Sequence, residues 1–120
     1  MNQKFAFKVI NNVPEVKDEL DVIKSVARSG NSHIIRVYDF WIEKNEEEFT
    51  SRTYLKMERC DGTLAQFLWD MREEKRDIRP IQLLDIMVQV LSGLRHCHDR
   101  NVCHRDLKLS NSILSLLFFP

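Results

Sequence analysis

Glycine, proline and cysteine are scarce in this 120-residue chain, with three of each. Three cysteines, an odd number without a C-x-x-C pair, argue against a disulfide framework and for reduced thiols inside the cell. Long apolar runs are missing as well. The longest, the terminal "LSLLFFP", falls far short of the roughly 20 residues a membrane-spanning helix needs, so no membrane crossing is expected. The opening "MNQKFAFKVI" lacks the basic start, long apolar centre and small-residue cleavage site of a secretory signal. Nor does either sign of charge dominate: 18 basic residues balance 18 acidic ones. No global field then favours nucleic acid or an anionic membrane as a partner. Internal repeats, low-complexity stretches and linker-like segments are also lacking, so the chain is one domain at most. With 43% apolar and 30% charged residues, its composition is that of a globular protein, neither disordered nor fibrous.

What is present begins with a strand. In "KFAFKVI", Phe5, Phe7 and Val9 fall on one side and Ala6, Lys8 and Ile10 on the other. Lys8 thus stands between two apolar residues and is expected to be partly buried; taken alone, it reads as a lysine snorkelling at a sheet edge. Pro14 sits where a helix begins, and Val16, Leu20, Ile23 and Ala27 recur at helical spacing over about four turns. Val22 and Val26 widen that arc, with Glu19 between the two groups. A carboxylate inside an apolar arc needs a partner. Glu15, one turn earlier on the same side, competes for this description, although near a helix start it also favours the dipole. Asp18 and Asp21 project from the opposite, solvated face.

After the turn "SGNS", the segments "HIIRVYDFWI" and "TYLKMERC" read as two strands joined by the polar run "EKNEEEFTSR". Thr63 and Gln66 then stand at capping-box spacing, and Leu64, Phe67, Leu68 and Met71 mark a short amphipathic helix. Pro80 starts the longest helix. Its Leu83, Met87, Val90, Leu94 and Cys97 form one apolar line with Leu84, Val88 and Leu91 beside it, and it is expected to be largely buried. Asn101 is suited to end that helix because asparagine tolerates the left-handed conformation. "SILSLL" resumes as a strand.

Between this helix and strand lies "CHRDLKLSN", residues 103–111. It gathers a candidate base, two cations and a metal-type amide ligand. A zinc site is a competing reading, since His96, Cys97, His98, Cys103 and His104 cluster here. The spacing fits no common finger, however, and Cys97 lies on the buried helical line. The runs "EKNEEE" and "REEKRD" read as a solvated loop and the polar end of a helix, without a docking role.

The order of these elements and residues resembles the eukaryotic protein kinase family. His104, Arg105, Asp106, Leu107, Lys108 and Asn111 match the pattern H-R-D-L-K-x-x-N at every defined position. "AFKVI" looks like the V-A-I-K strand, Glu19 has the helical position of the carboxylate that pairs with its lysine, and "YLKMERCDGTL" looks like the strand and hinge between two lobes. Lys108 suggests the serine/threonine class. The resemblance implies an α+β fold of the two-lobe kinase type, incomplete, with about 1–58 as part of the N-lobe, 59–62 as hinge and 63–120 as the start of the C-lobe.

It also implies phosphoryl transfer from ATP, with Mg2+, to a protein substrate. Asp106 would orient or accept the hydroxyl proton, Lys108 would compensate charge on the transferred phosphate, and Asn111 would hold Mg2+. Lys8 would bind the α and β phosphates with Glu19 fixing its ammonium. Backbone groups of Glu58 and Cys60 would bind adenine behind Met57, which limits access to the rear of the pocket. Arg105 would meet a phosphorylated activation segment, and His104 would be structural. The expected place is inside the cell, in cytosol or nucleus, with no nucleic-acid partner beyond the nucleotide.

Two parts of the family pattern have no counterpart here. Only seven residues precede Lys8 and none is glycine, where a glycine-rich loop is expected; only nine follow Asn111, without the aspartate of a D-F-G segment. The principal magnesium ligand of the family is thus lacking. The sheet is expected to keep an unpaired edge and the long helix to lose part of its cover. The alternative to a kinase is therefore a catalytically inactive, kinase-derived binding or scaffold protein.

Overall fold

The computed structural model describes residues 3–11, 16–27 and 30–114, with 16–19 and 113–114 by backbone alone. The start of the first helix at Pro14, the competing Glu15 and most of the terminal "LSLLFFP" lie outside the described residues. The chain divides into two compact units, Met1–Arg59 and Cys60–Pro120.

The first unit is an antiparallel three-stranded sheet with one helix. Strands β1 (Phe5–Asn11), β2 (Val37–Asn45) and β3 (Thr50–Glu58) lie in the order β1-β3-β2, and helix α1 spans Val16–Ala27. The strand sequences are rich in β-branched and aromatic residues, which pack well on a pleated surface. Both strands of the β2–β3 hairpin run further into the polar segment than the sequence suggests, pairing Lys44 with Ser51 and Asn45 with Thr50. The loop shrinks to Glu46–Phe49. Asn45 Oδ1 organises it by accepting from the N–H groups of Glu47 at 3.0 Å and Glu48 at 3.2 Å. Phe49 closes the loop at φ +51°, a conformation that a bulky side chain adopts only at a cost.

Strict alternation would put Val37 and Phe40 on opposite faces, yet Val37 pairs with Met57 and Phe40 with Leu55, both on one face. A bulge between Val37 and Asp39 absorbs the extra residue and resets the phase. That face forms the core: Leu20 of α1 and Leu55 of β3 are buried, with Ile10, Ile23, Phe40 and Met57 packed against them. Burying a leucine contributes about 2 kcal/mol, so this small cluster is what fixes α1 to the sheet. Leu20, Ile23 and Val26 face inward as the helical arc predicts, whereas Val22 is exposed. On the opposite face Phe5 meets Tyr38 edge-on, Phe7 meets Trp41, and Trp41 stacks on Tyr54 with centroids 5.3 Å apart.

Lys8 lies opposite Leu55 in the register, on the core face between Ala6 and Ile10. The expectation that it is partly buried is not met: its side chain is exposed. The reason is topological. β1 is an edge strand of this sheet, so a residue at its centre has a neighbouring strand on one side only among the described residues.

The second unit contains β4 (Gly62–Thr63), α2 (Leu64–Glu73), α3 (Pro80–His98), a 3-10 turn at Leu109–Asn111 and β5 (Ile113–Leu114). Thr63 caps α2, its hydroxyl accepting from the N–H of Gln66 at 3.2 Å. The Gln66 side chain turns along the helix instead of back to Thr63, its Nε2 donating to Asp70 at 2.7 Å. Pro80 stands at the start of α3, where its missing N–H costs nothing. Asn101 ends the run as expected, at φ +58°, with the N–H of Val102 reaching back to the Cys97 carbonyl at 3.0 Å.

The expectation from periodicity that α3 is largely buried is corrected, whereas the expected loss of part of its cover is what the helix shows. Ile86, Gly93 and Cys97 are buried, but Ile81, Leu83, Leu84, Met87, Val88 and Leu91 are exposed. Apart from a polar stripe of Gln82, Asp85, Gln89, Ser92 and His96 the helix is largely apolar, and periodicity cannot tell which of its apolar lines finds cover. The described residues pack against one side only.

Candidate active site

The segment 103–111 hangs between the end of α3 and β5, and its closure follows from hydrogen bonds near its ends. β5 pairs with β4, Gly62 with Leu114 and Thr63 with Ile113. The Leu64 N–H, one of the unpaired donors at the start of α2, gives 2.7 Å to the Ser112 carbonyl. Ser112 Oγ in turn donates to the Lys108 carbonyl at 3.2 Å. Ser112 therefore ties the loop to the helix start. Nothing in its neighbours marks it as a functional residue, and only the folded register reveals it.

Inside the loop, Asp106 is the point of convergence. Asn111 Nδ2 donates to both its backbone carbonyl and its Oδ2 at 2.9 Å, and Lys108 Nζ lies 3.3 Å from the same Oδ2. The Asp106 N–H donates to His104 Nδ1 at 3.3 Å, so the histidine helps shape the loop. Arg105, between them, has φ +61°. A non-glycine residue in this region is strained, and such strain concentrates at functional sites. The Lys108 hydrogen bond, then that of Asn111, then the lysine charge hold the Asp106 carboxyl below its ordinary value. It stays ionised and, with both donors on Oδ2, offers Oδ1 to a hydroxyl.

With its nitrogen committed to Asp106, Asn111 has its amide oxygen to offer, the atom type that hard cations take. Among the described residues no three His, Cys, Asp or Glu side chains gather as a metal set. An ion here would need further oxygens from a phosphate ligand, which is how Mg2+ is commonly held. The residues fit Mg2+ arriving with a nucleotide. Cys97 is buried, which pushes its thiol up from the ordinary value with Arg100 opposing; Cys103 is exposed.

The remaining candidates divide between the two units. Lys8 lies on the core face of β1, and Glu19 on α1 beside Leu20, although the Glu19 side chain is outside the described residues. Met57, half-buried, packs against the Leu20–Leu55 core. Glu58 is doubly tied: its N–H donates to the Arg36 carbonyl at 2.9 Å, and its Oε1 accepts from the Arg36 N–H at 2.7 Å. Cys60 opens the second unit with its thiol half-buried.

Comparison with known proteins follows the same lines. The protein kinase domain family matches residues 1–116. Calcium-dependent protein kinase 5 of Plasmodium falciparum is 33% identical over 104 residues, 87% of this chain and 16% of the relative. Mitogen-activated protein kinase 10 of Arabidopsis thaliana is 31% identical over 118 residues, 95% of the chain and 29% of the relative. The probable serine/threonine-protein kinase zyg-1 of Caenorhabditis briggsae is 28% identical over 109 residues, 91% and 14% respectively. The chain spans less than a third of the length of these curated relatives.

Proposed function

Because the chain belongs to the protein kinase family, we propose that it carries the catalytic loop of a protein serine/threonine kinase, transferring the γ-phosphate of ATP to a protein hydroxyl. One observation carries this reading: the side chains of Lys108 and Asn111 converge on Oδ2 of Asp106. A carboxylate kept ionised, with its second oxygen available, suits a group that orients an attacking hydroxyl. As the hydroxyl oxygen bonds to the γ-phosphorus and the bond to the β-phosphate oxygen breaks, the proton passes to Asp106 Oδ1. Lys108 compensates charge on the group in transit, while Asn111 holds Asp106 in place and offers its amide oxygen to Mg2+. Bound Mg2+ supplies charge compensation on the phosphates.

The unit Met1–Arg59 corresponds in this reading to the later N-lobe, the unit from Cys60 onward to the first part of the C-lobe, and about 59–62 to the hinge. Lys8 binds the α and β phosphates and pairs with Glu19. Adenine is held by backbone groups of Glu58 and Cys60 behind Met57. Glu58 contributes its carbonyl, since its N–H is given to Arg36. Three free thiols support a reducing setting, cytosol or nucleus; among the described residues no helix is long and apolar enough to cross a membrane.

A second reading, a binding or scaffold protein without transfer, draws on the exposed apolar side chains of α3. Radiolabelled ATP and a generic basic protein substrate separate the two. Transfer by the full chain should fall by about 100-fold or more in both Asp106→Asn and Lys8→Met. Transfer that survives both substitutions sinks the site. ATP binding without transfer in the unaltered chain supports the scaffold.

A further inference from the structure

In sequence, "REEKRD" is the polar end of a helix. Folded, four of its six residues, Arg72, Lys75, Arg76 and Asp77, rim a cleft of about 360 Å³ at the turn leaving α2. Buried Met71 and half-buried Leu68 and Ile78 supply apolar walls, and exposed Arg72, Lys75, Arg76 and Asp77 complete the lining. The turn is fixed by the Lys75 N–H donating to the Arg72 carbonyl at 3.1 Å and the Arg76 N–H to the Met71 carbonyl at 2.8 Å. Lys75 stands at φ +53°, the left-handed position that glycine fills at less cost. A cation is therefore kept on the cleft where backbone preference favours no side chain at all.

The charges are not equivalent. Arg76 pairs with Glu74 at 2.5 Å, whereas Arg72 and Lys75 have no ion-pair partner among the described residues. We propose that this cleft docks an extended peptide segment of a partner protein, with an aliphatic side chain between the apolar walls and carboxylates on Arg72 and Lys75. Apolar walls with flanking cations match such a segment in both chemistry and charge. Asp77 interrupts the cationic rim, so an unbroken row of nucleic-acid phosphates would have to pass its carboxylate, whereas a peptide can place separated carboxylates on Arg72 and Lys75 alone. The surface stands apart from Asp106 in the sequence and needs no phosphoryl transfer to operate.

The probe is the fluorescein-labelled peptide Gly-Glu-Ser-Leu-Leu-Glu-Gly, titrated against the full chain by fluorescence anisotropy, with the same peptide carrying lysine for glutamate as the charge control. Saturable binding of the acidic peptide is expected, with the lysine peptide at least about tenfold weaker. Arg72→Glu should weaken binding by about tenfold. Lys75→Gly separates docking from folding, because glycine relieves the left-handed strain: its melting temperature should rise while its affinity falls. Equal binding of both peptides, unchanged affinity in Arg72→Glu and Lys75→Gly, or no binding up to millimolar peptide overturns the proposal. Displacement of the peptide by a single-stranded oligonucleotide at lower concentration than by unlabelled peptide also overturns it, in favour of nucleic acid.

Discussion

Asp106 is the point where the loop of the second unit converges, because two donors of different kinds share one of its oxygens. Lys108 contributes both a hydrogen bond and a charge, and Asn111 contributes a neutral hydrogen bond with a second anchor on the backbone carbonyl. All of these favour the ionised form, so the carboxyl lies below its ordinary value of 3.8. The direction of the linkage follows. A depressed value means that whatever stability the ionised group contributes is present above the unfolded value and is lost as pH falls through the folded one. Carbon-detected NMR titration should place the Asp106 carboxyl below 3.8, and Lys108→Met should move it upward. A titration unmoved by that substitution would mean the lysine contact does not persist in solution. The Lys8 and Glu19 candidates rest on less, because β1 leaves Lys8 exposed and the Glu19 side chain lies outside the described residues.

At the scale of elements, caps and phase shifts do more than propensity. Helix α2 begins where it does because Thr63 satisfies the Gln66 N–H and Ser112 satisfies that of Leu64. Thr63→Ala should therefore cost about 1 kcal/mol in urea denaturation. An unchanged midpoint would show that the Ser112 contact alone fixes the helix start. The capping pair was readable from spacing; the contribution of Ser112 was not, since it depends on β4 and β5 pairing across about fifty residues. The bulge at Val37 and Asp39 was equally hidden. An extra residue in a strand is visible only when the partner strand shows which face each side chain must take.

At the scale of the molecule, the second unit carries an open apolar face on α3. Six large apolar side chains stand open along one helix, and apolar patches of this kind bind apolar dyes and partners. The pair Leu84→Glu and Leu91→Lys should lower fluorescence of the dye ANS with far-UV circular dichroism retained, because surface substitutions change stability by only about 0.5 kcal/mol. Dye binding that persists at full strength would place the accessible apolar surface elsewhere, for instance on the sheet around Phe7 and Trp41. The core that does form is small, and in the first unit it joins one helix to three strands through Leu20 and Leu55.

The sequence by itself determined the order and type of the longer elements, though not β4 or the 3-10 turn, together with the helix-ending role of Asn101 and the family, because turn chemistry, periodicity and the H-R-D-L-K-x-x-N pattern are local properties of the chain. Tertiary structure decided which apolar lines are covered and which side chains converge. An unpaired sheet edge and an incompletely covered long helix are expected from the sequence, but only the packing shows that Lys8 itself stands exposed and which lines of α3 stay open. Periodicity records which residues are able to face a core, whereas burial depends on what the rest of the fold brings against them.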